Sequence, residues 1–358
     1  MSATETISLF PVTENGYSLA LKLKKKLVGV TVFKPRELRG GSLFGKVKEA
    51  FRTSDALVFV CASGIAVRAI APLLKGKHID PAVIVMDEKG GFVISLLSGH
   101  LGGANRLAGK IASLIGAAPV ITTATDVMGL PCVEDIVERF SFSIEDVKKI
   151  KVVNSAIVKR TGAAGGAAVL VVDEDPGRLA AVKKAFGKTQ VFSFKKRLPE
   201  DFKDFRACVL ITSLAGKKNA ASGKIMALRP KEFVAGVGCR RGVRAGEVEE
   251  AFNEALKKAG VSPLSVRNLA TIDIKKDEKG LLLFAKRAGL SIEFFSSSEL
   301  NGIKRLPSGS SRVVREKTGA GGVCEPAALL SSGAKRIWLK KIKTERVTVA
   351  LARAPFTL

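Results

Sequence analysis

Residues 91–116 read GFVISLLSGHLGGANRLAGKIASLIG. The opening GFVISLL is a short apolar run rich in Phe, Val and Ile, which is the mark of a strand. The closing GGANRLAGKIASLIG has helical patterning. Between them, Ser98, Gly99, His100, Gly102 and Gly103 make a glycine-rich turn. Glycine there permits positive φ and lets the backbone approach a ligand closely. Strand, glycine turn and helix in succession are the building unit of an α/β domain.

Working outward, the same alternation runs along the chain. SLF, VGVTVF, ALVFVCA, AVIVMD, GFVISLL and PVITTA are expected as strands, with SLFGKVKEAFRT, GIAVRAIAPLLK and GGANRLAGKIASLIG as helices between them. Residues 1–127 therefore form an N-terminal α/β domain with a largely parallel sheet. The segment Asp126–Cys132 is the expected first linker. Residues 128–230 make a small middle α/β domain, in which AVLVVDED and ACVLITS are strands around the helix PGRLAAVKKAFG. A Lys-, Ala- and Gly-rich stretch, Leu214–Pro230, closes it. Residues 231–358 restart with the strand EFVAGVGCRRG and the helix RAGEVEEAFNEALKKAG, whose early acids and late lysines suit the helix dipole. VRNLATIDI, KGLLLFAKRA, LSIEFFS, RIWLKKI and RVTVALARA continue a third, compact α/β domain. The fold class is α/β with three such domains.

Composition narrows the function classes. The 358 residues are 46% hydrophobic, enough for sizeable cores. No apolar run reaches the ~18 residues of a membrane span. The start MSATETISLF lacks the regions of a signal peptide, so a cytoplasmic location is expected. Cys61, Cys132, Cys208, Cys239 and Cys324 are widely spaced and form no CxxC, against a disulfide framework or structural zinc. With only His78 and His100, a three-histidine metal site is impossible within one chain, and no metal site is expected. Gln190 is the sole glutamine beside abundant Lys, Arg and Glu, as in proteins of hot-living sources. The net charge of +26 attracts polyanions. One Trp and one Tyr leave only Phe for a base-stacking platform, so a soluble polycarboxylate fits at least as well as nucleic acid. Lysine faces that are merely solvated would look the same.

Four regions offer chemistry. In CASGIAVRAIAP, Ser63 and Gly64 form a turn and Arg68 can grip a carboxylate; a cap plus a surface arginine is the plain alternative. In the turn quoted first, His100 can exchange a proton near neutrality, Ser98 and Asn105 add hydrogen bonds, and free helix-start N–H groups at Gly102 and Gly103 would face an anion. His100 could equally be a capping or packed residue. In VITTATD, the three threonines Thr122, Thr123 and Thr125 and Asp126 offer hydroxyls and a carboxylate, or a capped turn. In AGVGCRRG, Gly236 and Gly238 resemble a G-x-G turn without the acidic ribose partner, while Arg240, Arg241 and Arg244 favour carboxylates. KTGAGGVCEPAAL adds a further turn with Thr318, Gly319, Gly321 and Glu325, lacking the GK[ST] of a phosphate loop. The first four turns follow strand-like runs, where α/β sheets bind ligands. There is no G-x-S-x-G elbow and no HExxH.

Together GIAVRAIAP, LLSGHLGGANRLA, ITTATD, GVGCRRG and TGAGGVCEPAAL resemble the cobalt-precorrin-5A hydrolases (CbiG type) of anaerobic cobalamin biosynthesis. Single glycine turns are common; five in this order are specific. The resemblance covers about Asp55–Asp126 and nearly all of Lys231–Ala354, and the middle segment carries no matching motif. It implies an anionic, cobalt-bearing, ring-contracted tetrapyrrole as substrate, whose ring A δ-lactone is opened by water and whose two-carbon unit leaves as acetaldehyde, giving cobalt-precorrin-5B. It also implies a C-terminal region related to a stand-alone protein of the aerobic pathway, and neighbouring cobalamin-pathway enzymes as partners. Neither nucleic acid nor membrane is expected. No cofactor is expected, cobalt entering with the substrate. Lactone opening needs a base and an oxyanion donor. His100 is the first candidate for the base and Asp126 the second; Gly102 and Gly103 N–H groups, or Thr122 and Thr123, are the candidate donors. Arg68, Arg240 and Arg241 are expected on substrate carboxylates, between the first and third domains. A non-catalytic corrinoid carrier, which would release no acetaldehyde, and a nucleic-acid binder, with steeply salt-dependent binding to duplex, are the competing readings.

Overall fold

The computed structural model describes residues 6–76, 79–100, 102–160, 166–186, 191–200, 202–216, 223–304 and 308–356. His78 and Leu101 lie outside them. The chain divides into two compact units, Met1–Asp135 and Ile136–Leu358. The first break thus falls beyond the expected linker, and the middle and C-terminal segments share one unit while keeping separate sheets.

The first unit is built on six strands: β1 (Ile7–Pro11), β2 (Val30–Val32), β3 (Ala56–Val60), β4 (Ala82–Met86), β5 (Phe92–Leu97) and β6 (Ala118–Val120), in the order β2-β1-β3-β4-β5-β6. All six occupy runs expected as strands. The central strands β1, β3 and β4 are buried at every residue. Their side chains alternate between two apolar layers. Val58 and Ile84 join Leu23, Leu107 and Ile111 on one face. Leu57, Phe59, Val83 and Val85 join Val47, Ala66 and Ile70 on the other. Helices Glu14–Lys24 and Ala104–Ile115 cover the first face, and Ser42–Thr53 and Ser63–Ile70 the second. This double cover explains the continuous apolar strands.

The sheet is largely parallel, as expected, with one reversal. β4 and β5 are antiparallel, joined by the tight turn Asp87–Gly91. Gly90 adopts φ 71° there, and the Asp87 carboxylate accepts from the amides of Lys89 (2.9 Å) and Phe92 (2.7 Å). So short a link cannot make a parallel crossover. β6 then runs parallel to β5. The carboxyl ends of β5 and β6 therefore lie side by side, at the end of the sheet opposite the carboxyl ends of β1, β3 and β4.

The second unit has a middle sheet of β7 (Phe142–Ile144), β8 (Val169–Asp173), β9 (Phe192–Lys195), β10 (Ala207–Ile211) and β11 (Ile225–Pro230), ordered β7-β11-β10-β8-β9. A further sheet is formed by β12 (Phe233–Cys239), β13 (Val266–Ile272), β14 (Ser291–Phe295), β15 (Ile337–Lys343) and β16 (Val347–Arg353), ordered β14-β13-β12-β16-β15. A buried ion network ties the two. Arg178, 2% exposed, reaches both oxygens of Asp173 at 2.7 and 2.8 Å and Glu232 at 2.6 Å. Arg353 holds the other oxygen of Glu232 at 2.9 Å. Desolvation pushes the Asp173 carboxyl above its ordinary value against the pull of Arg178, so the ion pair must supply what water would have supplied. Among the described residues no helix is long and apolar enough to cross a membrane.

Truncating Arg178 strands the buried Asp173 carboxylate and leaves Glu232 with Arg353 alone. Arg178→Ala is expected to cost about 3–5 kcal/mol. Urea unfolding followed by the fluorescence of Trp338, the chain's single tryptophan and part of β15, should show a clearly lower midpoint. An unchanged midpoint would mean that the network stabilises nothing.

Candidate functional site

The turn after β5 is a tightly specified piece of backbone. Ser98 is buried and left-handed at φ 57°, an unusual conformation for a residue with a Cβ. Its hydroxyl donates to the carbonyl of Asp80 at 2.9 Å. A Cβ on Gly102 would sit 2.4 Å from the Ser98 Cβ, so glycine is required there. Gly103, at φ 80°, leads into the helix Ala104–Ile115. The amides of Gly103, Ala104 and Asn105 donate to the carbonyls of His100, Ser98 and Gly99 at 2.9, 3.2 and 2.9 Å. The expectation of free helix-start amides at this turn is therefore corrected for Gly103. Gly102 N–H has no acceptor among the described residues.

This turn lies beside the one that follows β6, where Thr122 to Asp126 enter a short helix, Ala124–Val127. His100 Nε2 stands 3.0 Å from Asp126 Oδ2 and 3.3 Å from Thr125 Oγ1. Asn105 Nδ2 donates to the same Asp126 oxygen at 3.1 Å and to Thr123 Oγ1 at 2.9 Å. The Thr123 hydroxyl donates to Asp126 Oδ2. Ser95, on β5, donates to Asn105 Oδ1 at 2.6 Å. The His100 side chain is 15% exposed and that of Asp126 36%, so the pair is reachable from solvent without being loose in it. His100 and Asp126, expected as first and second choices for one role, are instead partners. An ionised carboxylate only accepts, so in the neutral imidazole Nε2 carries the proton and Nδ1 presents a lone pair. The arrangement can take a proton from water or a hydroxyl and hold the resulting imidazolium beside a carboxylate.

The other expected site residues are not gathered here. Ser63 and Gly64 follow β3 and so sit at the opposite end of the sheet; convergence of all three turns of the first unit fails because β5 is reversed. Arg68 folds back on its own helix, donating to the Gly64 carbonyl at 3.1 Å. In the second unit Gly236 and Gly238 lie within β12 rather than in a turn. A Cβ on Gly236 would stand 1.8 Å from the Cys324 carbonyl, and one on Gly238 2.6 Å from Thr348 Oγ1, so both serve close packing. Arg241 is exposed and ion-paired with Asp277; Arg244 pairs with Glu247 at 3.2 Å; Arg240 is exposed and makes no ion pair among the described residues. Glu325 is 3% exposed, with its carboxylate taken by Ser308 and the Lys341 amide. The Thr318 hydroxyl donates to the Val314 carbonyl at 2.7 Å, Gly319 caps that helix at φ 71°, and Asn301 accepts from the Gly321 amide at 3.0 Å. That turn is held by its own chain. Sequence reasoning missed Ser95. A polar residue on an otherwise apolar strand was the one available signal for Ser95.

Among the described residues no three of His, Cys, Asp and Glu converge as a metal-binding group. The five cysteines are free. Burial pushes the thiols of Cys61, Cys239 and Cys324 to about 11 and that of Cys208 to about 12, and it raises Cys132 as well. None is a ready nucleophile near neutrality, since the thiolate is the reactive form. A disulfide reagent at pH 7.5 should label the native chain slowly and reach all five thiols only after denaturation; fast native labelling would contradict the burial.

The sequence matches two family models, "Cobalamin synthesis G N-terminal" over residues 46–126 and "Cobalamin synthesis G C-terminus" over residues 233–352. A cobalt-precorrin-5A hydrolase from Priestia megaterium is 34% identical over 89% of this chain and 84% of its own. One from Salmonella typhimurium is 33% identical over 98% of each chain. A protein from Sinorhizobium sp named CobE is 33% identical over 35% of this chain and 82% of its own.

Proposed function

The chain belongs to the cobalt-precorrin-5A hydrolase family, and on that premise we propose that the His100–Asp126 pair carries its hydrolytic step. The observation that carries this reading is the 3.0 Å contact between His100 Nε2 and Asp126 Oδ2 at the mouth of the glycine turn. The protein hydrolyses cobalt-precorrin-5A in cobalamin biosynthesis. His100 Nδ1 takes a proton from water as it adds to the lactone carbonyl of the substrate, and Asp126 balances the imidazolium. The Gly102 N–H and the exposed Thr122 hydroxyl are the donors left for the developing oxyanion, because Gly103 N–H and the Thr123 hydroxyl are already engaged.

The acyl C–O bond then breaks as the His100 imidazolium returns its proton to the leaving oxygen, which frees a hydroxyl on the former bridging carbon. Removal of that hydroxyl proton forms the aldehyde C=O. The carbon–carbon bond to the ring breaks, its electron pair passes into the conjugated macrocycle, and acetaldehyde leaves. No redox cofactor enters this scheme; cobalt belongs to the substrate. In this reading the partners are the tetrapyrrole and neighbouring enzymes of the cobalamin pathway, in the cytoplasm.

Purified protein given cobalt-precorrin-5A should release acetaldehyde. His100→Ala and Asp126→Asn should each lower kcat by about 10²- to 10⁴-fold. Near-full turnover by His100→Ala would remove the base assignment. Pigment bound without acetaldehyde release would favour a carrier.

A further inference from the structure

We propose that Asn105 and Ser95 are positioning residues, a hydrogen-bonded pair that fixes the Asp126 carboxylate, and through it the proton on His100, without touching substrate. The inference rests on the hydrolytic reading of His100 and Asp126 and extends it to how the pair is held.

A count of donors and acceptors carries it. A side-chain amide offers two N–H donors and one carbonyl oxygen. At Asn105 the two donors go to Asp126 Oδ2 at 3.1 Å and Thr123 Oγ1 at 2.9 Å, and the oxygen accepts from Ser95 at 2.6 Å. Both donors of the amide and one of the two lone pairs of its oxygen are thus engaged within the protein, which leaves no N–H for substrate. The polarity of the chain of bonds is also unique. The Asp126 carboxylate, which only accepts, fixes which end of the amide faces it, and the amide oxygen thereby left toward β5 takes the single proton of Ser95. The reverse orientation would set an oxygen against the carboxylate. Thr123 accepts from Asn105, so its own proton goes to Asp126. Asp126 Oδ2 thereby receives Asn105, Thr123 and His100, and the only proton His100 can give it is that on Nε2.

The backbone is shaped around this amide. Asn105 N donates to the Gly99 carbonyl at 2.9 Å, and a Cβ on Gly99 would lie 2.7 Å from Asn105 Oδ1. Gly99 thus makes room for the amide, while Ser95 reaches it from β5. A strand, a turn and a helix converge on one carboxylate, the kind of support that keeps a catalytic geometry within tolerance.

The decisive variant is Asn105→Asp, which keeps the shape, removes both donors and sets a second carboxylate against Asp126. Acetaldehyde release should show kcat lowered by about 10- to 100-fold with KM nearly unchanged for Asn105→Asp, Asn105→Ala and Ser95→Ala. Ser95→Thr, which restores the hydroxyl, should recover most of the rate lost in Ser95→Ala. A raised KM with unchanged kcat would make Asn105 a substrate ligand and overturn the proposal. A second readout needs no turnover. In protein labelled with 15N-histidine, His100 is assigned by loss of the other signal in His78→Gln, and wild type should show the Nε2–H tautomer alone. Asn105→Asp and Ser95→Ala should give mixed tautomers; an unchanged tautomer in both would overturn the proposal. If Asn105→Asp does not fold, Ser95→Ala, one oxygen smaller than wild type, carries both tests. A wild type with one fixed tautomer, released in the variants, but with no acetaldehyde would support the positioning pair and refute the hydrolytic reading alone.

Discussion

The antiparallel pairing of β5 with β4 is the constraint on which the first unit depends. Were β5 parallel to β4, its glycine turn would join the turns that follow β1 and β3 at one end of the sheet, as in a doubly wound fold. The hairpin at Asp87–Gly91 reverses it. β6 follows β5, so two strand ends are left alone together, and the histidine of one turn meets the aspartate of the other. The ion pair is a product of topology before it is a product of side chains.

Within that frame the turn after β5 works by being full. Ser98 occupies a left-handed conformation, Gly102 tolerates its side chain, and the first amides of the helix are spent on the carbonyls of the turn itself. Backbone strain of this kind persists only where the surroundings over-determine it. Here the surroundings are the Asp80 carbonyl, the glycine contacts and the helix start. His100 is carried on a loop, yet one with few free torsions.

Much of this was legible in the sequence. The six strand runs of the first unit and the helix from Ala104 stand where patterning put them, because central strands covered on both faces leave an apolar signature that survives in any context. His100, Asp126, Asn105 and Thr123 were all singled out as residues of glycine and threonine turns. Their relations were not legible. Whether two turns share one end of a sheet depends on strand direction, which hydrophobic patterning does not carry and which the short DEKGG turn settles. Gly236 and Gly238 looked like a ligand turn because a glycine needed for helix packing and one needed for a ligand read alike. Arg178 offered no signal: it sits in a lysine-rich helical run, and its partners Asp173 and Glu232 become neighbours only in three dimensions.

That last feature bears on how such a chain can diverge. Glu232 stands at the threshold of the C-terminal sheet, yet its charge is answered by Arg178 from the middle segment as well as by Arg353. A lineage that traded the middle segment for another would have to import a cation at the same place, or lose Glu232 in the same event. The middle segment can drift over most of its surface, but at this seam its inheritance is tied to that of its neighbour.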